Sequence, residues 1–200
     1  MKKIGMFGGS FNPVHNAHTM FAKGVIQTLG LSRLYIMPTY SSPHKSDDNM
    51  APAADRYNMC KIAFDGVKHA EVSDLEISRK GKSYTYETLR ELKEIHKSDE
   101  LYIIMGADMF MTLMQWKNPQ IIFNLSTIVT FPRDSLDITK LEMQSKLLES
   151  FGAKSIILNE KTFDLSSTVI RENIGDKEFI SRNLNNDVYK YIINHKLYGV

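Results

Sequence analysis

Short apolar runs alternate along the chain with longer stretches in which apolar residues return every three or four positions. Ile4-Gly5-Met6-Phe7 is the first run, and Gly8-Gly9 ends it. A few apolar residues bounded by glycine predict a buried strand feeding a tight loop. From His18 onward, Met20, Phe21, Val25, Ile26 and Leu29 recur at helical spacing, with Gly30 placed to cap the helix. Arg33-Leu34-Tyr35-Ile36-Met37 predicts a second strand closed by Pro38, and residues 38–51 a polar loop. A helix is expected from Pro52, with Tyr57, Ile62, Ala63 and Phe64 turned inward and Gly66 behind it. Ala70 to Ile77 reads as a strand with a polar continuation. Thr85 is placed to cap a helix reaching His96, in which Leu89, Leu92 and Ile95 keep the helical period. Leu101 to Met105 is the clearest buried strand. Helices follow over Asp108–Trp116 and Asn118–Phe123, then a strand over Thr127–Phe131, a helix over Leu141–Phe151 and a strand over Ser155–Leu158. Helices over Ser166–Ile174 and Asn186–His195 complete the pattern.

Strands that alternate with helices of about a dozen residues predict an α/β fold: a Rossmann-like, doubly wound parallel sheet with helices on both faces. We read residues 1–200 as one domain, with 166–200 a small helical C-terminal subregion. In such sheets ligands bind outside the carboxyl ends of the strands, near the point where strand order reverses. The loops after Phe7, Met37, Met105 and Leu158 are therefore the first places to look for chemistry.

Composition narrows the classes. The chain has 200 residues, 42% of them hydrophobic, enough to bury a core without disulfides or a structural metal. Lys and Arg number 25 against 23 Asp and Glu, too even a balance for coating nucleic acid or an acidic membrane. Any phosphate must be gripped by a local cluster. Cys60 is the only cysteine, which excludes an intramolecular disulfide and a cysteine-based zinc site. No stretch reaches the roughly 20 apolar residues that span a bilayer, and the expected location is cytoplasmic.

The first loop, Gly8-Gly9-Ser10-Phe11-Asn12-Pro13-Val14-His15-Asn16-Ala17-His18, is neither Gly-x-Gly-x-x-Gly nor a Walker loop. Its glycines let backbone N–H groups approach a ligand, and the following helix N-terminus favours an anion. His15 and His18, three residues apart, can converge on one phosphate. They read equally as half of a metal site lacking an identified third ligand, or as two surface histidines beside a turn. Ser166, Ser167 and Thr168 at a helix start, with Arg171 one turn on, suit a phosphate or simply a capped helix.

The first loop resembles the His-x-Gly-His signature of the nucleotidyltransferase superfamily. Leu165-Ser166-Ser167-Thr168-Val169-Ile170-Arg171 resembles its second motif, Ile-Ser-Ser-Thr-x-Ile-Arg. Pro43-His44-Lys45, Ser83-Tyr84-Thr85-Tyr86-Glu87-Thr88-Leu89, Gly106-Ala107-Asp108 and Trp116 are similar to further segments of the bacterial nicotinate-nucleotide adenylyltransferase branch. The similarity spans nearly the whole chain. It departs at Leu165, at Ala17 in the position of the motif glycine, and at Asn12, where relatives outside this branch often carry Asp.

The resemblance implies transfer of AMP from ATP to nicotinate mononucleotide, giving nicotinate adenine dinucleotide and pyrophosphate by direct attack with no covalent intermediate. It implies catalytic roles for His18, His15 and Arg171. It implies ATP and phosphate contacts for Gly8, Gly9, Ser10, Phe11, His44, Lys45, Ser166, Ser167 and Thr168, and mononucleotide contacts for Tyr84, Thr85, Asp108 and Trp116. Substrate-bound Mg2+ is the implied cofactor and no protein metal site is expected; assembly of copies is compatible with the sequence. On their own, Lys45 reads as a solvated charge, Asp108 and Thr85 as helix caps, and Trp116 as core. The rival readings are a related transferase with another acceptor, a nucleotide-binding regulator without chemistry, and a metal-dependent hydrolase built on His15 and His18.

Overall fold

The computed structural model describes residues 1–43, 49–132, 135–158 and 165–200, with the backbone alone for 135–137. Its strands are β1 (Lys3–Gly9), β2 (Arg33–Pro38), β3 (Ala70–Val72), β4 (Glu100–Ile104), β5 (Ser126–Thr130) and β6 (Lys154–Ile157). Its helices are α1 (Asn16–Leu29), α2 (Ala53–Phe64), α3 (Leu75–Arg79), α4 (Thr85–Ile95), α5 (Ala107–Met111), α6 (Pro119–Leu125), α7 (Ser135–Ser150), α8 (Ser167–Glu172), α9 (Lys177–Asn183) and α10 (Asn186–Asn194). The strands form one sheet in the order β3-β2-β1-β4-β5-β6, and every pairing is parallel.

Side chains alternate across a strand, so each apolar run feeds two cores. Ile4, Met6, Tyr35, Met37, Leu101 and Ile103 face one side, against Leu89 and Leu92 of α4, Phe110 of α5 and Ile122 of α6. Phe7, Leu34, Ile36, Tyr102 and Ile104 face the other, against Val25 of α1, Met59 of α2 and Val188 of α10. Gly5 lies on that second side because nothing larger fits. A Cβ there would sit 2.7 Å from Cδ1 of both Leu31 and Leu34 and 3.1 Å from Cδ1 of Ile104. Ile170, Ile180 and Ile192 belong to the same cluster as the sheet residues, so the helices after Ser166 are mounted on the sheet.

The doubly wound α/β architecture is as expected, and Gly30 caps α1 with φ of 63°, a left-handed conformation that glycine adopts without a steric penalty. Several local expectations are corrected. Helix α1 starts at Asn16, not His18, because the His15 N–H donates to His18 Nδ1 at 3.2 Å. An imidazole thereby takes the place of the Glu or Gln of a capping box. The inner face of α2 is Arg56, Met59, Cys60 and Phe64, with Tyr57, Ile62 and Ala63 only half-buried. The run from Ala70 to Ile77 leaves the sheet after Val72; the Ser73 N–H donates to Ile36 O and its Oγ accepts from the Leu75 N–H, starting α3. Tyr84, not Thr85, is the N-cap of α4. The expected helix over 108–116 stops at Met111, where Thr112 Oγ1 bonds back to the Asp108 and Met109 carbonyls. A 3-10 turn over Leu113–Gln115 then leads to Trp116 in an extended conformation. Helix α9 lies where the apolar pattern predicts no element; Asp176 caps it by accepting from the Glu178 and Phe179 N–H groups, each at 3.0 Å.

Candidate active site

Strand order reverses at β1, which pairs with β2 on one side and β4 on the other. The carboxyl ends of β1 and β4 open into a cavity of about 860 Å³, a size suited to small-molecule ligands. Among the residues that line it are Gly8 to Asn12, His15, His18, Thr85, Asp108, Trp116, Ser166 to Thr168 and Arg171. The two segments named from sequence, 150 residues apart, therefore border one space.

Their junction is built from hydrogen bonds between side chains and backbone. Arg171 Nη1 donates to the Asn12 carbonyl at 2.7 Å, and Ser167 Oγ donates to the Pro13 carbonyl at 2.9 Å. Arg171 Nη2 also donates to Thr168 Oγ1 at 3.3 Å. Ser166 caps α8 by accepting from the Val169 N–H at 3.2 Å, which leaves its own hydroxyl proton for a ligand. Ser167 lines the cavity while its hydroxyl donates to Pro13. One guanidinium nitrogen of Arg171 is thus anchored to Asn12. The remaining N–H groups keep the positive charge at the cavity wall.

His15 and His18 stand ring against ring, with centroids 3.7 Å apart. Phe11 packs edge-on to His18 at 5.0 Å, so the pair has an apolar wall on one side. His15 is 5% exposed, and burial pushes its pKa down to about 4. At neutral pH it is an uncharged imidazole and can donate from one nitrogen only. Its Nδ1 is buried without a hydrogen-bond partner among the described residues. Gly8 faces the cavity: a Cβ added there would meet nothing closer than Met6 Cε at 3.5 Å, so a side chain would occupy ligand space. Phe11 holds a left-handed backbone with φ of 46°, a conformation rare for an aromatic residue and found where surrounding structure enforces it.

The second half of the cavity is set by β4 and α4. Asp108 is exposed in the first turn of α5, and Trp116 and Thr85 are half-buried on the lining. Tyr84 lies outside this lining, with its ring beneath the Lys117 ammonium at 4.1 Å. His44 and Lys45 lie outside the described residues. No group of three His, Cys, Asp or Glu side chains gathers for a metal among the described residues, and no helix there is long and apolar enough to cross a membrane.

Two residues that sequence reasoning passed over hold the cavity rim. Arg56 is 1% exposed and donates to the carbonyls of Ala51, Ser10 and Tyr40 at 2.9, 2.7 and 2.9 Å. Glu76 is buried beneath Thr88, whose hydroxyl donates to Oε1 at 2.7 Å, and burial raises its pKa. Ser83, on the same rim, accepts from the Tyr40 N–H at 3.0 Å. Charged residues inside short helices were the available signal, but an Arg or Glu there usually faces water.

Comparison with known proteins gives a consistent result. The cytidylyltransferase-like family model matches residues 6–173. A "Probable nicotinate-nucleotide adenylyltransferase" of Clostridium acetobutylicum is 38% identical over 199 residues, covering 99% of this chain and 100% of that protein. A protein of the same description from Dehalococcoides mccartyi is 34% identical, covering 98% and 97%. The solved structure of Plasmodium falciparum nicotinic acid mononucleotide adenylyltransferase complexed with NaAD superposes with a TM-score of 0.79 at 19% identity, covering 99% and 98% of the two chains, a likeness of fold. With the switch-point cavity and both motif segments on its wall, the chain belongs to the cytidylyltransferase-like family and, within it, to the nicotinate-nucleotide adenylyltransferases.

Proposed function

We propose that this chain transfers the adenylyl group of ATP to nicotinate mononucleotide, forming nicotinate adenine dinucleotide and pyrophosphate. The observation that carries the reading is the junction of the 8–18 and 166–171 segments on one cavity wall, held by Arg171 to Asn12 and Ser167 to Pro13. The relatives named for this activity support it.

The nucleophile is a phosphate oxygen of the mononucleotide, ionised at neutral pH, so the site needs no general base. Chemistry then rests on holding the two phosphates in line and on meeting the charge that moves to the leaving pyrophosphate. Arg171 supplies fixed positive charge. His18, backed by Phe11 and tied to the His15 N–H, supplies a ring nitrogen in a partly dry setting, where a donor counts for more than in water. His15 acts as a neutral orienting donor, and the Ser166 hydroxyl and the N–H groups of the Gly8–Phe11 loop complete the cradle. Donors of this kind suit phosphate oxygens, not a cation. Mg2+ therefore fits as an ion carried by the triphosphate, with water completing its shell.

Trp116 offers a ring face for the pyridine, whose positive charge adds a cation–π component. Asp108 can accept from two sugar hydroxyls, and Thr85 offers a hydroxyl beside them. The decisive assay supplies ATP and Mg2+ with nicotinate mononucleotide, nicotinamide mononucleotide, phosphopantetheine or a cytidylyl acceptor in parallel, and reads pyrophosphate. Fastest release with the nicotinate form is expected; release with none, or preference for a non-pyridine acceptor, refutes the reading.

A further inference from the structure

The turn at Leu197–Gly199 is held in an uncommon shape. Lys196, Tyr198 and Gly199 have φ of 52°, 61° and 85°, and a left-handed backbone is uphill for residues that carry a Cβ. Something must hold Tyr198 there, and the contact is specific. Its side chain packs on the core shared with α1 and α10, and its hydroxyl donates to Asn12 Oδ1 at 2.8 Å across 186 residues of sequence.

Asn12 is 7% exposed and is the hub of the loop that leads to His15. Its Oδ1 also accepts from the Ala51 N–H at 2.9 Å, and its Nδ2 donates to the Asn49 carbonyl at 3.1 Å. Its own carbonyl is the acceptor that anchors Arg171. An aspartate could accept both bonds but could not donate to Asn49, so the amide at this position is used at both ends. Burial pushes the Tyr198 phenol up, against the opposing pull of Arg56 and Arg171, which keeps it a protonated donor.

We propose that Tyr198 is a positioning residue for the transfer: through Asn12 it fixes the peptide on which Arg171 is anchored and the loop that presents His15 and His18. It touches no substrate. Its effect is to select one orientation of the Asn12 carbonyl, and so one setting of the guanidinium toward the phosphates. This rests on the adenylyltransferase reading.

The test compares Tyr198→Phe with Tyr191→Phe. Tyr191, on α10, donates its hydroxyl to Asp55 at 2.8 Å and accepts from Asn58 Nδ2 at 3.1 Å, so its loss removes a phenol at least as well bonded, away from the loop. Both variants are assayed for Tm, for kcat/KM toward ATP, and for KM toward the mononucleotide. Loss of one neutral hydrogen bond corresponds to about a two- to thirteenfold change. We expect Tyr198→Phe to lose that factor in kcat/KM for ATP with the mononucleotide KM unchanged, and Tyr191→Phe to keep both constants even at an equal or lower Tm. ATP affinity by calorimetry gives a readout independent of turnover: it weakens in Tyr198→Phe alone, even if the wild type forms no dinucleotide. Wild-type ATP affinity in Tyr198→Phe, or equal losses in the two variants, overturns the proposal.

Discussion

Arg56→Lys is the most informative single perturbation of the framework. The guanidinium is buried and donates to carbonyls of the β1 loop at Ser10, the β2 loop at Tyr40 and the approach to α2 at Ala51. A lysine keeps the charge but presents a compact ammonium on a single stem, without the planar fork that reaches three directions. We take it to hold one of the three carbonyls and release two. A hydrogen bond from a charged donor contributes about 1.5–3 kcal/mol, so the change destabilises by roughly 3–6 kcal/mol. That is a large share of the net stability of about 5–15 kcal/mol common to folded chains, and at about 2–4 °C per kcal/mol it lowers Tm by roughly 6–24 °C. Thermal unfolding followed by circular dichroism reads it directly. The folded fraction should also lose kcat/KM for ATP, since Ser10 borders the cavity. Arg56→Met separates the hydrogen bonds from the cost of burying charge: an apolar replacement is tolerated wherever desolvation outweighs bonding. A Tm for Arg56→Met at or above the wild-type value, or Arg56→Lys within 2 or 3 °C of it (about 1 kcal/mol), refutes the reasoning.

Other outcomes follow from the same geometry. Gly5→Ala places a methyl 2.7 Å from two leucine methyls and should destabilise by about 1–3 kcal/mol, seen as a lower urea midpoint with the specific activity of folded enzyme retained. Gly8→Ala projects into ligand space; we expect a raised KM for ATP with an unchanged Tm, and an unchanged KM counts against phosphate contact at this loop. Trp116→Ala should raise KM for the mononucleotide and spare that for ATP, and equal effects on both would refute stacking. For His15 the folded pKa of about 4 lies below the ordinary 6.5. Between those values the unfolded chain binds a proton that the folded chain does not. The site therefore makes full stability available above about pH 6.5 and loses it as pH falls, levelling near pH 4, for a total of roughly 3 kcal/mol. His15→Asn should flatten that part of the stability profile.

What the sequence revealed and what it hid divide along physical lines. Strands buried on both faces must be apolar at successive positions, so Leu101 to Met105 and Thr127 to Phe131 were legible at once. The motif segments were legible through the family resemblance; read alone, their glycines, imidazoles and serine-rich helix start left a metal pair, surface histidines and a plain capped helix open. Arg56, Asn12 and Tyr198 were not, because their partners are backbone carbonyls and an amide 5 to 186 residues away, and no local pattern encodes such a bond. The burial of Ser167's donor by Pro13 was hidden for the same reason. The break at Thr112 and the start of α3 at Leu75 were lost because single hydroxyls redirected the backbone within an otherwise continuous period.

His18 and Arg171 are proposed to act on one triphosphate, and a double-mutant cycle of the two reads their coupling. His18→Ala and Arg171→Ala are each expected to lower kcat for dinucleotide formation by about 10²- to 10³-fold. Because groups that act on one developing charge are coupled, the double variant should lose at least about tenfold less than the product of the two single losses. Losses that simply multiply would mean that the two segments act independently and not on one triphosphate.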